Sequence, residues 1–161
     1  MADEPQAFTE IRFEVPGPPT AWGRAGSRIV TAKGTGRQFV SHYTPAKTRK
    51  EEGVVRYLSA RAMGDIPPYG GPVAMTLSFL MPIPASFTKK ARVEALNGWR
   101  YPNVKPDYDN MAKLIADGMN GIVFQDDKQI VTAFITKRYA EQPTVLVSVK
   151  AHLVGEPVVR T

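Results

Sequence analysis

The sequence predicts a small single-domain α+β protein with a mixed sheet of four strands, or slightly more, and two main helices on one face. The two-residue alternation typical of strands appears at residues 9–17 and 72–82, and β-rich runs follow at 128–140 and 144–154. Helical patterns separate the first three of these segments, and no internal repeat or interdomain linker interrupts the 161 residues. A chain of this length can bury one hydrophobic core.

The first third of the chain is predicted to form one strand and one hairpin. Ile11, Phe13 and Val15 alternate with charged residues, as in a half-buried strand. A basic segment rich in Gly and Pro follows. Residues 33–36 have the sequence of a turn between the strand-like runs at 28–31 and 37–43, so we expect a basic hairpin or loop there.

Helix signals begin at residue 44. Thr44 is expected to cap a first helix, with Pro45 in its first position and Gly64 at its end. The predicted apolar stripe of this helix consists of Val54, Val55, Leu58 and Ala62. A short second helix is predicted before Asn97 and Gly98.

Two strand-like segments close the predicted domain. Residues 128–140 and 144–154 are both β-rich and only three residues apart, which predicts an antiparallel hairpin. The segment at 72–82 is predicted to be a strand with Val73 and Phe79 among its inward residues. Residues 1–8 are expected to form a flexible arm, 9–154 the domain and 155–161 a flexible tail.

Composition excludes several chemistries. The chain has no cysteine, which rules out disulfides, thiolate zinc sites and cysteine nucleophiles. Neither His42 nor His152 lies near a candidate site in sequence, so a Ser-His-Asp triad is not expected. No signal peptide and no apolar run of membrane-spanning length is found, which predicts a soluble intracellular protein.

Charge points to a specific segment. Although the formal net charge is +6, residues 104–130 hold five of the fifteen carboxylates, and between the first and last of them only Lys113 is basic. These carboxylates are Asp107, Asp109, Asp117, Asp126 and Asp127. A cluster of like charges is costly unless something compensates it, and the usual compensator is a bound cation.

Local sequence shapes this cluster. Pro106 keeps the preceding residue extended, and a helix over about 110–120 is predicted, capped by Asp109 or Asn110. Asp107 and Asp109 can then converge on the positive end of the helix dipole. Lys113 lies one turn beyond Asp109, and Asp117 one further turn on, where an ion pair with Lys113 or a solvent-exposed position is the favoured interpretation.

The last two acidic residues, Asp126 and Asp127, lie at the start of the next strand. Because side chains alternate along a strand, one of these two carboxylates is expected to face inward, but the periodicity does not show which one. Three carboxylates with open water positions suit Mg²⁺ or Mn²⁺, which orient a phosphodiester, activate water and neutralise a leaving oxygen.

Acidic residues at this spacing also occur in other kinds of site. An EF-hand is excluded, because Met111 and Ala112 stand where a ligand and a glycine would be needed. A nucleotide-sugar site, a glycosidase carboxylate pair and surface acids that only cap a helix remain alternatives.

Basic residues flank the acidic segment. Nine Lys or Arg against two Glu occur at 22–61, and a second basic group precedes residue 107. A polyanion held beside a metal site would account for this distribution, and a solvated surface is the alternative. The candidates for DNA contact are Arg24, Arg28, Lys33, Arg37, Lys89, Lys90 and Lys105. Trp22 and Phe39 are candidates for stacking on opened bases, although single aromatics are more often core or interface residues.

The motif around the acidic segment resembles the RusA family of Holliday junction resolvases. The family pattern is Asp-x-Asp-Asn, a Lys one turn on, Asp-Ala/Gly-Leu/Met, a short link and Asp-Asp-x-Gln-Val/Ile. The chain supplies "DYDN", Lys113, "DGMNG" and "DDKQI" in that order. The close match covers about 27 residues, from 104 to 130, and the order of predicted elements extends it loosely.

The resemblance implies a function and a set of roles. Asp107, Asp109 and Asp127 match catalytic carboxylates that bind Mg²⁺ or Mn²⁺, and Lys113 matches the catalytic lysine. Asn110, Asp117 and Asp126 match motif positions that we assign to a supporting shell. The resemblance also implies a RusA-like domain, a homodimer in a bacterial or phage-infected cytoplasm, and a DNA recombination and repair enzyme that resolves four-way junctions by paired symmetric nicks. No small-molecule cofactor is expected.

Two rival functions remain open from the sequence. The first is a DNA-binding protein of the same fold that has no catalytic activity. The second is a metal-dependent hydrolase of a small phosphorylated substrate, which the basic flanks disfavour.

Overall fold

The computed structural model describes residues 10–23 and 26–152. Within them it contains six strands, three α-helices and one 3₁₀ turn. Their bounds are β1 Glu10–Pro16, β2 Gly26–Thr31, β3 Gln38–Tyr43, α1 Ala46–Met63, β4 Val73–Pro82, α2 Lys89–Leu96, α3 Tyr108–Met119, the 3₁₀ turn Asp127–Gln129, β5 Ile130–Ala140 and β6 Thr144–Ala151. The predicted arm at 1–8 and the predicted tail at 155–161 lie outside the described residues.

A mixed four-stranded sheet forms the centre, in the order β1-β6-β4-β5. β6 is antiparallel to β1 and β4, whereas β4 and β5 are parallel. β2 and β3 form a separate antiparallel ribbon, which confirms the basic hairpin predicted around residues 33–36. The predicted α+β class and mixed sheet are therefore confirmed.

The predicted pairing of the last two strands is wrong. β5 and β6 do not pair with each other, because β4 lies between them. Alternation along a strand shows which residues face inward but does not identify the neighbouring strand. The connection between Ala140 and Thr144 can extend about 13 Å, which is enough to cross the roughly 9.6 Å that separates strands on either side of a third.

One face of the sheet carries the core. The residues of β4 predicted to face inward, from Val73 to Phe79 at every second position, are buried. α3 contributes its predicted inner face, including Met111, Leu114 and Ile115, and packs along α1. Two helices over one sheet face match the predicted arrangement. No helix in the described part of the chain is long and apolar enough to cross a membrane.

The first helix differs from its prediction at its start and on its buried face. Pro45 occupies the N-cap and makes no side-chain capping bond, so the predicted cap by Thr44 is wrong. Its end at Gly64, with a φ of 56°, is as predicted. Of the predicted stripe, Val55 is buried and Val54, Leu58 and Ala62 are partly buried, and Thr48, Ser59 and Met63 are buried in addition. α3 packs closely on this face at Val55.

Gly118 permits that close packing. A Cβ atom at this position would lie 2.6 Å from both Cβ and Cγ1 of Val55 and 3.2 Å from the carbonyl oxygen of Glu52. Such distances are shorter than any normal carbon contact, so the two helices would have to separate. Gly118 therefore sets the distance between α1 and α3.

We predict that Gly118→Ala lowers the free energy of unfolding by about 1–3 kcal/mol, because the added methyl overpacks the helix interface. Gly53→Ala is the matched control. Gly53 lies in α1, where an added Cβ would meet nothing within 4 Å, so alanine should raise the free energy of unfolding by about 0.5–1 kcal/mol. Urea denaturation measures both values, and equal effects of the two changes would contradict the close packing.

Candidate active site

The start of α3 differs from its prediction in a way that matters for the site. The helix begins at Tyr108, and Asp107 occupies the N-cap with extended φ and ψ of −70° and 142°. The predicted cap by Asp109 or Asn110 is therefore wrong. The carbonyl oxygen of Asp107 accepts the first helical bond, from the backbone N of Met111 at 3.2 Å. The structure confirms that Asp107 lies in an extended entry to the helix.

Asp107 and Asp109 are both available at this helix end. The Asp107 side chain makes no capping hydrogen bond, and Asp109 lies in the first helical turn. Both residues are exposed and line one open cleft. The remaining lining residues of this acidic cleft are Asn103, Val104, Lys105, Tyr108 and Lys137. The positive end of the helix dipole favours carboxylates at this position.

Lys137 fixes the chain that enters the acidic cleft. Its Nζ donates to the carbonyl oxygens of Val104 at 2.6 Å and Pro106 at 2.9 Å. We did not predict a role for this residue from the sequence. The available signal was alternation, because Lys137 lies two residues from both Ile135 and Tyr139 and so shares their inward side of β5. A lysine at an inward strand position needs polar partners, and here these are backbone carbonyls beside Asp107.

Asp126 has a structural role. It is the N-cap of the 3₁₀ turn, and its Oδ1 accepts from the backbone N of Lys128 at 3.0 Å. This backbone hydrogen bond lowers the pKa of Asp126 below its usual value. Asp127 is the first residue of the turn and is exposed. Of the two neighbouring carboxylates, Asp126 therefore holds the turn and Asp127 faces solvent.

Gln129 anchors the same turn to the body of the protein. Its Oε1 accepts from the backbone N of Asp126 at 2.8 Å. Its Nε2 donates to the carbonyl oxygens of Tyr69 at 2.8 Å and Gly71 at 2.7 Å. In the sequence this glutamine is recognisable only as part of a motif. The structure shows that the motif position holds the segment bearing Asp127 against the turn before β4.

The carboxylates are not all brought together. Among residues 10–23 and 26–152, no group of three or more His, Asp or Glu side chains is close enough to hold a metal ion. Asp107 and Asp109 share the acidic cleft, whereas Asp127 does not line it. Magnesium binds through one or two carboxylates completed by water and substrate phosphates, so the donor set of this cleft fits the ion. Participation of Asp127 remains a prediction.

Lys113 lies further along α3. Its Nζ is 3.5 Å from Oδ2 of Asp117, which is the ion pair favoured for Asp117 from sequence. The same Nζ lies 5.2 Å from the ring centroid of Trp22. Trp22 and Asn110 line a second cleft beside Asp107, lined also by Ala21, Lys105 and Pro106. The two residues are joined by a hydrogen bond, in which the backbone carbonyl oxygen of Asn110 accepts from the backbone N of Trp22 at 2.9 Å.

The predicted DNA-binding residues are divided between three places. Lys105 lines both clefts. Arg28 lies on the β2–β3 ribbon and Lys33 and Arg37 in its turn, all exposed. Lys89 and Lys90 are exposed at the start of α2. Arg24 lies outside the described residues.

Comparison with known proteins agrees with this arrangement. Residues 16–150 match the family model described as endodeoxyribonuclease RusA, which is most of the chain. The chain is also 32% identical over 142 residues to an uncharacterized protein, YqaN, of Bacillus subtilis (strain 168), covering 87% of this chain and 95% of that protein. The match includes both clefts and the 3₁₀ turn. The chain therefore belongs to the RusA family of endodeoxyribonucleases.

Proposed function

We propose that the protein is a divalent-metal-dependent endonuclease that resolves Holliday junctions and related branched DNA by paired symmetric nicks. The observation that supports this best is the acidic cleft, where Asp107 and Asp109 are exposed at a helix N-terminus with Lys105 beside them. Neither carboxylate is committed to capping the helix. In a chain of an endodeoxyribonuclease family, these carboxylates are expected to hold a cation that contacts the phosphate backbone.

The proposed roles follow from where each side chain lies. Asp107 and Asp109 would hold Mg²⁺ or Mn²⁺, with Asp127 as a further ligand supplied by the 3₁₀ turn. When bound, such an ion neutralises charge on the phosphate and supplies a nucleophilic water. Lys113 would stabilise the negative charge that develops on the phosphate. Lys137 and Gln129 would keep the backbone around these carboxylates in place.

DNA binding is proposed to depend on backbone contacts. Arg28, Lys33 and Arg37 extend along a ribbon that is separate from the main sheet, and Lys89 and Lys90 lie at the exposed start of α2. Lysine and arginine contacts with phosphates give affinity that falls steeply with salt and carries no base readout. A four-way junction has two-fold character and needs two nicks, so we propose a homodimer. Recombination and repair in a bacterial or phage-infected cytoplasm is the proposed setting.

The first test is cleavage of a synthetic four-way junction beside a matched duplex, with and without Mg²⁺. We predict junction nicking that requires the ion, and a loss of more than about 100-fold in Asp109→Asn, because the amide is a poor ligand for a hard cation. Asp65→Asn is the matched control, since Asp65 is exposed and lines neither cleft. Gel electrophoresis of end-labelled strands gives both rates.

Two results of this test would favour the rival functions. Tight junction binding without nicking by the wild-type protein would favour a non-catalytic DNA-binding protein. Hydrolysis of a nucleotide or another small phosphorylated substrate, with no action on the junction, would favour a small-substrate hydrolase.

Lys113 gives a second test. We predict that Lys113→Met retains junction affinity but slows cleavage by about 100-fold or more, because a preorganised cation acts mainly in the transition state. Lys150→Met on β6, which removes an exposed lysine away from both clefts, is the control. Binding is measured in Ca²⁺ and cleavage in Mg²⁺. Cleavage at the wild-type rate would refute a catalytic role for Lys113.

Gln129 gives a third test, of how the turn is held. We predict that Gln129→Leu lowers the free energy of unfolding by about 1–3 kcal/mol, because the carbonyls of Tyr69 and Gly71 lose the hydrogen bonds from its Nε2. Junction cleavage should fall as well, since Asp127 loses its support. Gln142→Leu, at an exposed glutamine between β5 and β6, should change neither value. Unaltered stability and cleavage in Gln129→Leu would show that the hydrogen bonds of the Gln129 side chain do not hold the turn.

A further inference from the structure

Trp22 is fixed between the two helices that form the site. Its backbone N donates to the carbonyl oxygen of Asn110 in α3 at 2.9 Å, and its indole Nε1 donates to Oε1 of Glu52 in α1 at 3.2 Å. The next residue, Gly23, donates its backbone N to Oγ1 of Thr48 at 2.9 Å. The side chain is partly buried against the hydrophobic core. Both the backbone and the ring of Trp22 are therefore held in place.

The indole also borders two clefts. On one side it lines the cleft that contains Asp107 and Asn110. On the other it lines a groove with Glu52 and Asp117. Trp22 therefore lines both the cleft at the acidic end of α3 and the groove along the side of α3 that carries Asp117.

The ammonium group of Lys113 lies over the indole ring of Trp22. Its Nζ is 5.2 Å from the ring centroid, within the roughly 6 Å that defines a cation–π interaction. Oδ2 of Asp117 is 3.5 Å from the same atom. A lysine side chain has four rotatable bonds and loses much entropy when it is ordered. Two partners that meet it from different directions reduce the number of positions the ammonium can take.

We propose that Trp22 is a positioning residue that confines the ammonium of Lys113, together with Asp117, so that it is presented to the scissile phosphate. The inference rests on the proposed nuclease function, and it assigns to Trp22 a task separate from filling the core or stacking on a base. The indole acts on Lys113, and the lysine acts on the substrate. Because the ring acts through its π-face, an aliphatic side chain of similar bulk cannot replace it.

The experiment compares Trp22→Phe with Trp22→Leu in single-turnover cleavage of a four-way junction, with protein in excess. Trp22→Leu is expected to slow cleavage by about 2- to 30-fold, the range that corresponds to an exposed to partly desolvated cation–π contact. Trp22→Phe, which retains a π-face, is expected to recover a large part of that loss. Junction affinity in Ca²⁺ should not change in either variant. Trp99→Leu removes the other tryptophan, which is 76% exposed, and should leave cleavage unchanged.

A fluorescence measurement tests the contact without using activity. In Trp99→Phe protein, Trp22 is the only tryptophan, so its emission should change when Lys113→Met removes the ammonium. If wild-type protein fails to cleave junctions but this emission change occurs, the nuclease proposal fails while the contact stands.

Three results would overturn the proposal. They are a cleavage rate in Trp22→Leu equal to wild type, an equal loss in Trp22→Phe and Trp22→Leu, and a loss of junction affinity that matches the loss of rate. The last would indicate that the indole contacts DNA.

Discussion

The placement of two carboxylates in one cleft at the start of α3 is the constraint on which the site depends. Asp107 and Asp109 share one cleft at the N-terminal end of the helix, where the dipole favours negative charge. The entry to this helix is fixed by hydrogen bonds from Lys137 to the carbonyls of Val104 and Pro106. A rigid arrangement of mutually repelling carboxylates is suited to bind a cation, because little reorganisation is needed when the ion arrives.

The site is connected to the fold through α1 and α3. Gly118 allows the two helices to approach closely. That approach brings Glu52 of α1 within hydrogen-bonding distance of Trp22, which also bonds to α3. The position of the indole, and with it that of Lys113, therefore depends on packing at Gly118, about two and a half turns along α3 from Asp109. Changes at the helix interface are expected to affect both stability and catalysis for this reason.

Much of the fold could be predicted because the local periodicity of apolar residues indicates which residues are buried. The inward residues of β4 and the core face of α3 follow directly from spacing. Strand partnership was not available from the same signal, so the pairing of β5 with β4 rather than β6 was missed. The supporting roles of Lys137 and Gln129 also escaped prediction, because their partners are backbone carbonyls 31 to 60 residues away in sequence. The carboxylates themselves could be found, since their clustering is visible in the sequence alone.

The most direct test of the account is Mn²⁺ binding, measured by titration calorimetry in the presence of a junction whose scissile phosphates carry an uncleavable linkage. The account predicts binding by the wild-type protein that is lost or strongly weakened in Asp107→Asn. Asp65→Asn should bind as the wild type does. Equal Mn²⁺ affinity in wild type and Asp107→Asn would contradict the claim that the carboxylates at the start of α3 hold the ion.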